Sequence, residues 1–203
     1  MEYYPRKIEK LLELWLKRRE IILIKGPRQS GKTTLLLHLK EKLGGEYVTL
    51  EDEDMLRTFE SAPKEFIKRF IEKKFLFLDE AQYCKTIGRK IKLLFDLYQN
   101  RLKLFVTGSG SFDIKVELSK YLVGRAISFE LLPLDFEEFL TWKAKDLCRT
   151  FVECKENLRS FILEGKKIET KIAFEQEFTS LLNEYILFGG FPAIVKEPEL
   201  EIK

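Results

Sequence analysis

Residues 26–34, GPRQSGKTT, carry the clearest chemistry in the sequence. They fit the pattern of a glycine, four residues of any type, a second glycine, a lysine and then serine or threonine, and they lie between an apolar run and a stretch with helical spacing. The glycines allow the backbone to curl so that its N–H groups point inward, and the start of the next helix adds the positive end of its dipole. The pattern predicts that a nucleotide phosphate binds to Gly26, Pro27, Arg28, Gln29, Ser30, Gly31, Lys32, Thr33 and Thr34. In this loop Lys32 is predicted to reach the β- and γ-phosphates and the Thr33 hydroxyl to bind Mg²⁺, whereas the alternative is a plain glycine turn.

The run FLFLDE, residues 75–80, places two acids at the end of a predicted strand. Four apolar residues indicate a buried strand, and Asp79 follows them at its carboxyl end, where open α/β sheets bind ligands. There Asp79 is predicted to hold Mg²⁺ through water. Glu80 points in a different direction and is predicted to act as the general base that polarises an attacking water. The alternatives are a strand-end cap for Asp79 and a solvated acid or a surface salt bridge for Glu80.

Two hydroxyl groups end the next predicted strand, in FVTGSGS, residues 105–111. This strand is expected beside the acidic one, so the hydroxyl of Thr107 or of Ser109 is predicted to contact the γ-phosphate or to orient the water. Alternation along a strand points both side chains to the same side, and the sequence does not choose between them. The alternative for this stretch is a glycine-rich turn.

Arg125 stands just before the fifth predicted strand, in LVGRAISFELLPL, residues 122–134. A cation at this place is predicted to stabilise charge in the site of a neighbouring subunit, as arginine fingers do. Pairing with an acid such as Glu130 is an equal alternative. Arg28 is a weaker candidate for such a role, because its position in the loop tolerates many residue types.

Predicted strands and helices alternate along the first part of the chain, which is typical of crossover connections and a mostly parallel sheet. The predicted strands are 20–26, 46–51, 74–80, 101–110 and 125–134, and the predicted helices between them are 8–18, 33–43, 63–73 and 89–100. After Asp135 the apolar spacing is helical throughout, over 135–145, 148–165 and 173–189. These patterns predict an α/β core followed by a helical subdomain, with the boundary near Pro133.

The composition limits the kind of protein that this is. With 203 residues and 45% hydrophobic residues, the chain has enough apolar material for a sizeable core, and its net charge of +3 argues against a surface that wraps nucleic acid. Three cysteines at no metal-ligand spacing favour a reducing compartment. No apolar run reaches the length of about 20 residues that a membrane helix needs, so a cytoplasmic protein with no membrane partner is expected.

With these residues in place, the sequence resembles the AAA+ superfamily of P-loop ATPases, and more narrowly a prokaryotic, largely archaeal branch with an uncharacterised C-terminal domain. The matching segments are IKGPRQSGKTTLL, FLFLDEAQ, LFVTGSGS, LVGR with FELLPLDFEEF, and YILFGGFPAIV. The resemblance implies a five-stranded parallel sheet in the order 5-1-4-3-2 in a core over residues 1–133, with an N-terminal helix over 6–19. It also implies a helical lid over 134–203 that continues into a further C-terminal domain.

The resemblance further implies ATP and Mg²⁺ as ligands, Thr107 or Ser109 as the residue that senses the γ-phosphate, and Arg125 as an arginine finger. It places Pro192, in the sequence GGFP, on the adenine base from the lid side. The alternative for this stretch is a purely structural break, in which Gly189 and Gly190 end one helix and Pro192 begins the next.

The function expected from the site is Mg²⁺-dependent ATP hydrolysis by a motor or nucleotide switch. Adenine is favoured because the guanine-reading pattern Asn-Lys-x-Asp does not occur in the sequence. Two alternatives stay open, namely an interaction scaffold that binds ATP with little turnover and a small-molecule phosphotransferase. The expected partners are ATP, further copies of the chain, and a protein or DNA that the sequence does not identify. The stretches KEFIKRF and RKIKLLF mix aromatic and basic residues as a DNA-binding face does, but the solvated face of an amphipathic helix is favoured.

Overall fold

The computed structural model describes residues 3–109, 120–167 and 174–198, and strands alternate with helices in its first part. The strands are β1 (Ile21–Gly26), β2 (Glu46–Thr49), β3 (Phe75–Asp79), β4 (Lys103–Ser109) and β5 (Ala126–Glu130). The helices among them are α1 (Ile8–Glu13), α2 (Lys32–Leu43), α3 (Glu53–Ser61), α4 (Pro63–Lys68) and α5 (Ile87–Tyr98), with short 3₁₀ turns at Ile71–Lys73 and Ala81–Tyr83. The α/β class predicted from the alternation is confirmed.

The five strands form one sheet in the order β2-β3-β4-β1-β5, and every neighbouring pair is parallel. This confirms the order 5-1-4-3-2. In the register of the sheet, Gly26 lies opposite Ser109 and Thr49 lies opposite Asp79. The carboxyl ends of β1, β2, β3 and β4 therefore meet at one edge, which is where ligands bind in sheets of this kind.

The central strands are covered on both faces, because successive residues, which point to opposite faces, are buried along β3 and β4. Phe77 on β3 and Phe105 on β4 are fully buried, and their rings stack with centroids 4.8 Å apart. Burial of a side chain of this size contributes about 1.5–3 kcal/mol relative to exposure. The strands that end in the predicted site residues are thus fixed by the core of the domain.

Lys103 fastens the segment between α1 and β1 to the first residue of β4. Its buried ammonium group donates hydrogen bonds to the carbonyl oxygens of Trp15 and Arg18, both at 2.7 Å, and to that of Glu20. Burial lowers the pKa of Lys103 to about 8. These bonds anchor the chain just before β1, the strand that leads into the predicted phosphate loop.

Between β2 and β3 the structure differs from the sequence-based prediction. We expected one helix over 63–73, but two short helices, α3 and α4, fill this part of the chain. The side chain of Asp52 caps α3 by accepting hydrogen bonds from the backbone N–H groups of Asp54 and Met55, at 2.9 and 3.0 Å. Pro63 then starts α4, and it disfavours helical geometry at the residue before it, so that the two helices stay separate.

The described residues fall into two units, which are considered separately. One consists of those in Lys7–Leu132, and the other consists of those in Met1–Arg6 and Pro133–Lys203. The second unit is helical and contains α6 (Phe136–Lys143), α7 (Lys145–Glu164), α8 (Glu175–Phe188) and α9 (Pro192–Lys196). None of the helices in the described part of the chain combines the length and the apolar character that crossing a membrane requires.

The helical unit has a small core of its own, and polar contacts fix the start of α6. Leu134, Phe139, Leu140 and Val195 form this core. A capping box at Asp135 and Glu138 starts α6. The Arg6 guanidinium reaches the Glu138 carboxylate at 3.1 Å from the N-terminal segment, and both side chains are buried.

Candidate functional site

The predicted phosphate loop links β1 directly to α2. Gly26 ends β1, and Gly31 caps α2 with a φ of 95° in the left-handed region. A Cβ atom at Gly26 would lie 2.1 Å from the carbonyl oxygen of Leu131, so only glycine fits there without moving backbone. The Leu131 N–H donates to the carbonyl oxygen of Lys25 at 2.7 Å, and the Ser30 hydroxyl donates to that of Pro27 at 3.0 Å. The loop is therefore held in a tight curve at the edge of the sheet.

Lys32 lies inside this curve, at the first residue of α2. Its ammonium group donates to the carbonyl oxygens of Gly26 and Pro27, at 3.1 and 2.7 Å, and the residue is buried. Burial lowers the pKa of Lys32, against the opposing effect of the negative charges of Glu80 and Asp79. The loop thus places a cation near the two acids that end β3 and follow it. A cation suits the phosphate oxygens, and the acids suit the metal ion bound to them.

Asp79 is the centre of the site, because four donors converge on its buried carboxylate. Oδ2 accepts hydrogen bonds from the Thr33 hydroxyl at 2.6 Å and from the Tyr47 hydroxyl at 2.8 Å. Oδ1 accepts from the Glu80 N–H at 3.0 Å and from the Thr107 hydroxyl. Asp79 is 1% exposed, so these donors replace the water that the charge would otherwise need. The network joins the phosphate loop to β2, β3 and β4.

Glu80 follows Asp79 in a strained backbone conformation. Its φ and ψ are 53° and 43°, in the left-handed region that non-glycine residues rarely adopt. Its carboxylate accepts a hydrogen bond from the Gln82 side-chain amide, and the Gln82 Oε1 accepts one from the Ser109 N–H at 3.1 Å. Gln82 therefore bridges the acid after β3 and the last residue of β4.

Of the two hydroxyl residues on β4, the structure brings the Thr107 side chain onto Asp79. Ser109 enters the same site through its backbone N–H, which contacts Gln82. Thr107 therefore reaches the site through its side chain and Ser109 through its backbone. Which of them senses the γ-phosphate stays a prediction.

Arg125 forms an ion pair with Asp96, on α5, and not with the suggested Glu130. The Arg125 Nε donates to one oxygen of the Asp96 carboxylate at 2.8 Å, and Nη2 donates to the other at 3.4 Å. These hydrogen bonds lower the pKa of Asp96. The role of Arg125 in a neighbouring site stays a prediction, and so do those of Arg28, which is exposed in the loop, and of Pro192, which begins α9.

Two residues of the site, Tyr47 and Gln82, are not among those predicted from the sequence. The order of strands 5-1-4-3-2 already places β2 beside β3, so a polar residue on β2 was a signal for Tyr47. Tyr47 lies opposite Phe77 in the register of the sheet, and Asp79 lies two residues after Phe77 on the same face of β3. A long side chain at Tyr47 can therefore reach Asp79. The signal for Gln82 was a polar side chain two residues after the predicted base.

The donor groups fit a magnesium nucleotide. The Thr33 hydroxyl and the Asp79 carboxylate offer oxygen, the ligand type that Mg²⁺ prefers. Among the described residues, no group of three or more His, Cys, Asp or Glu side chains is arranged to hold a metal. A few protein oxygens suit Mg²⁺, which keeps several waters and binds substrate phosphates. Lys32 and the inward-facing loop supply the complementary contacts for phosphate oxygens.

Comparison with known proteins places this site in a family. A family model described as an AAA domain matches residues 18–140, more than half of the chain. Two uncharacterised proteins of the archaeon Methanocaldococcus jannaschii are similar: one is 28% identical over 202 residues, covering 97% of this chain and 41% of the relative, and the other 26% identical over 212 residues, covering 97% and 42%. An uncharacterised protein of Haemophilus influenzae is 25% identical over 193 residues, covering 88% of this chain and 41% of the relative. The chain thus spans about two fifths of the length of these relatives.

The matched residues contain the phosphate loop, Asp79 at the end of β3, Glu80 directly after it, and the hydroxyl residues of β4. The match also agrees with the parallel sheet and its strand order. By sequence and by architecture, the chain belongs to the AAA domain family, and residues 18–140 are a nucleotide-binding module of the P-loop NTPase type.

Proposed function

We propose that the chain binds ATP with Mg²⁺ and hydrolyses it, and that it acts as a motor or a nucleotide switch. The observation that carries this proposal is the 2.6 Å hydrogen bond from the Thr33 hydroxyl of the phosphate loop to the Asp79 carboxylate. It joins the loop to the acid of β3, and Glu80 follows at the next position. Loop, metal-binding oxygens and candidate base are thus adjacent in one hydrogen-bonded network around the buried Asp79 carboxylate.

Each residue of the site has one proposed role in hydrolysis. Lys32 and the loop N–H groups bind the β- and γ-phosphates, and Thr33 and Asp79 hold the metal. Mg²⁺ supplies positive charge that neutralises the phosphate oxygens. Glu80 takes a proton from the attacking water, whose oxygen forms a bond to the γ-phosphorus while the bond from that phosphorus to the ADP oxygen breaks. Thr107 or Ser109 contacts the γ-phosphate or orients the water.

The preference for adenine rests on the sequence, which lacks the guanine-reading pattern. A location in the cytoplasm is part of the same proposal, and the free thiols of Cys84, Cys148 and Cys154 support it. Copies of the chain and an unidentified protein or DNA are the proposed partners. We also propose ATP hydrolysis as the activity of the whole protein, since the relatives are longer than this chain.

Replacing Lys32 with alanine tests nucleotide binding. We expect the affinity for ATP to fall roughly ten- to a hundredfold, because a charge-assisted contact to the phosphates is lost. Titration of a fluorescent ATP analogue measures this. The matched control is Lys42→Ala, which removes an exposed lysine near the end of the same helix, where it pairs with Glu13. If Lys32→Ala binds ATP as tightly as Lys42→Ala does, the phosphate-loop assignment is wrong.

A switch with little turnover as a single subunit is the second candidate function. It is favoured by the ion pair of Arg125 with Asp96, which holds this cation on an acid of its own subunit. If copies share sites through Arg125, we expect the rate of ATP hydrolysis per subunit to rise with protein concentration. We also expect Arg125→Ala to abolish that rise, because an arginine finger contributes about 10³–10⁵ to the rate.

The control for this experiment is Arg101→Ala, since Arg101 also pairs with an acid, Glu72, on the surface. A steady-state phosphate-release assay over a hundredfold range of protein concentration measures the rate. A rate per subunit that stays constant over this range contradicts the shared site and indicates that each subunit is complete.

A further inference from the structure

Tyr47 contacts the carboxylate that is proposed to hold the metal. Its hydroxyl donates to the Asp79 Oδ2 at 2.8 Å. The residue belongs to β2, whose backbone pairs with β3 in fixed register, with Tyr47 opposite Phe77. Asp79 is two residues further along β3, on the same face, so the tyrosine ring spans the diagonal between neighbouring strands.

Oδ2 has two donors with different anchors. Thr33 lies at the start of α2, directly after the phosphate loop, whereas Tyr47 lies in the sheet. The Thr33 hydroxyl is also the group proposed to bind Mg²⁺, so it would contact both the metal and Asp79. The Tyr47 hydroxyl contacts the Asp79 carboxylate and orients it.

The Tyr47 hydroxyl is the donor in this contact. An ionised carboxylate has oxygens that only accept hydrogen bonds, so the proton between the two groups comes from the phenol.

We propose that Tyr47 is a positioning residue for the metal site: its hydroxyl fixes the Asp79 carboxylate in the orientation that holds Mg²⁺ next to the nucleotide. This inference rests on the proposed function. Groups that orient a metal-holding carboxylate by hydrogen bonds typically contribute 10–100-fold to metal affinity. In this role Tyr47 acts on the metal through Asp79.

Tyr47→Phe removes the hydroxyl and keeps the ring. We expect the MgCl₂ concentration that gives half of the metal-dependent thermal stabilisation by ADP to rise about tenfold or more. We expect ADP binding in EDTA to stay within twofold of the wild type, because the phosphate loop is unchanged. Thermal melts at saturating ADP over a series of MgCl₂ concentrations give the first value, and calorimetric titration in EDTA gives the second.

The matched control is Tyr83→Phe. The Tyr83 hydroxyl also donates to a carboxylate, that of Glu51 at 3.4 Å, but does not contact Asp79. A second test uses the Asp79→Asn background, in which Tyr47→Phe should change the MgCl₂ midpoint by less than twofold if tyrosine acts through the aspartate.

The outcomes separate the two proposals. A wild type that ADP stabilises more strongly with MgCl₂ than in EDTA, with a Tyr47→Phe midpoint equal to that of the wild type or lower, overturns the role of Tyr47 and leaves the proposed function intact. An equal loss in EDTA and in MgCl₂ also overturns it, because the hydroxyl then supports the loop and not the metal site. A wild type with no metal-dependent stabilisation by ADP or ATP overturns both proposals.

Discussion

Glu80→Gln is expected to lower the rate of ATP hydrolysis by a factor of about 10²–10⁴ while ATP still binds, since general base catalysis contributes about this much. Glutamine has the same size and keeps an oxygen that accepts the hydrogen bond from Gln82. It cannot take a proton from water. The change therefore removes the proposed chemical step and leaves the phosphate loop and the metal-holding network in place.

The rate is measured by phosphate release at saturating ATP and MgCl₂, and binding by titration of the same variant. Glu65→Gln is the matched control, because Glu65 is an exposed acid in the first turn of α4, outside the site network. Turnover by Glu80→Gln at the wild-type rate, with binding intact, means that Glu80 is not the base. A parallel loss of binding and turnover means that the residue supports the fold of the site and not the reaction.

The backbone strain at Glu80 is consistent with this assignment. A left-handed conformation costs a non-glycine residue about 1–3 kcal/mol and persists only where the surroundings impose it. Here the surroundings are the Glu80 N–H bond to Asp79 and the Gln82 contact to the Glu80 carboxylate. Both hold the acid at the edge of the sheet.

The sequence predicted those parts of the site whose residues lie close together along the chain. Gly26, Lys32 and Thr33 lie in one loop, and Asp79 with Glu80 lies at the end of one strand, so the motif and its flanking elements were enough. The strand order followed from resemblance to a family, since spacing along one chain does not determine which strands are neighbours. The structure and the family match agree with it.

The parts that the sequence did not predict depend on how far a side chain reaches between elements. Tyr47 and Asp79 are 32 positions apart in sequence, and Asp96 and Arg125 are 29 apart. A polar residue on β2 was a signal for Tyr47, but its contact with Asp79 depends on the register of the sheet. The contact of Arg125 with Asp96 depends on the position of α5. The helix α3 was missed for a different reason: it has nine residues and is fixed by the Asp52 cap and the burial of Phe59, and not by a long apolar repeat.

Gly190→Ala is expected to destabilise the helical unit by about 3 kcal/mol or more, the upper end of the cost of adding atoms to a packed site. A Cβ atom at Gly190 would lie 2.0 Å from the carbonyl oxygen of Leu134 and 3.0 Å from its carbon. Relief requires movement of backbone, and that backbone is held from both sides. The Leu134 N–H donates to the Gly190 oxygen at 2.7 Å, and the Tyr185 hydroxyl donates to the Leu134 oxygen at 2.9 Å.

Gly165→Ala is the control that separates backbone conformation from lack of space. Gly165 caps α7 in the same unit with a φ of 69°, and open space surrounds its Cβ position, so alanine there costs about 1–2 kcal/mol of strain alone. Urea unfolding followed by circular dichroism compares the two variants. A cost at Gly190 no greater than that at Gly165 contradicts the close approach of Leu134. The expected larger cost means that the break before Pro192 has a structural role. Gly190 packs the end of α8 against Leu134, next to the start of α6, and this role does not depend on what Pro192 contacts.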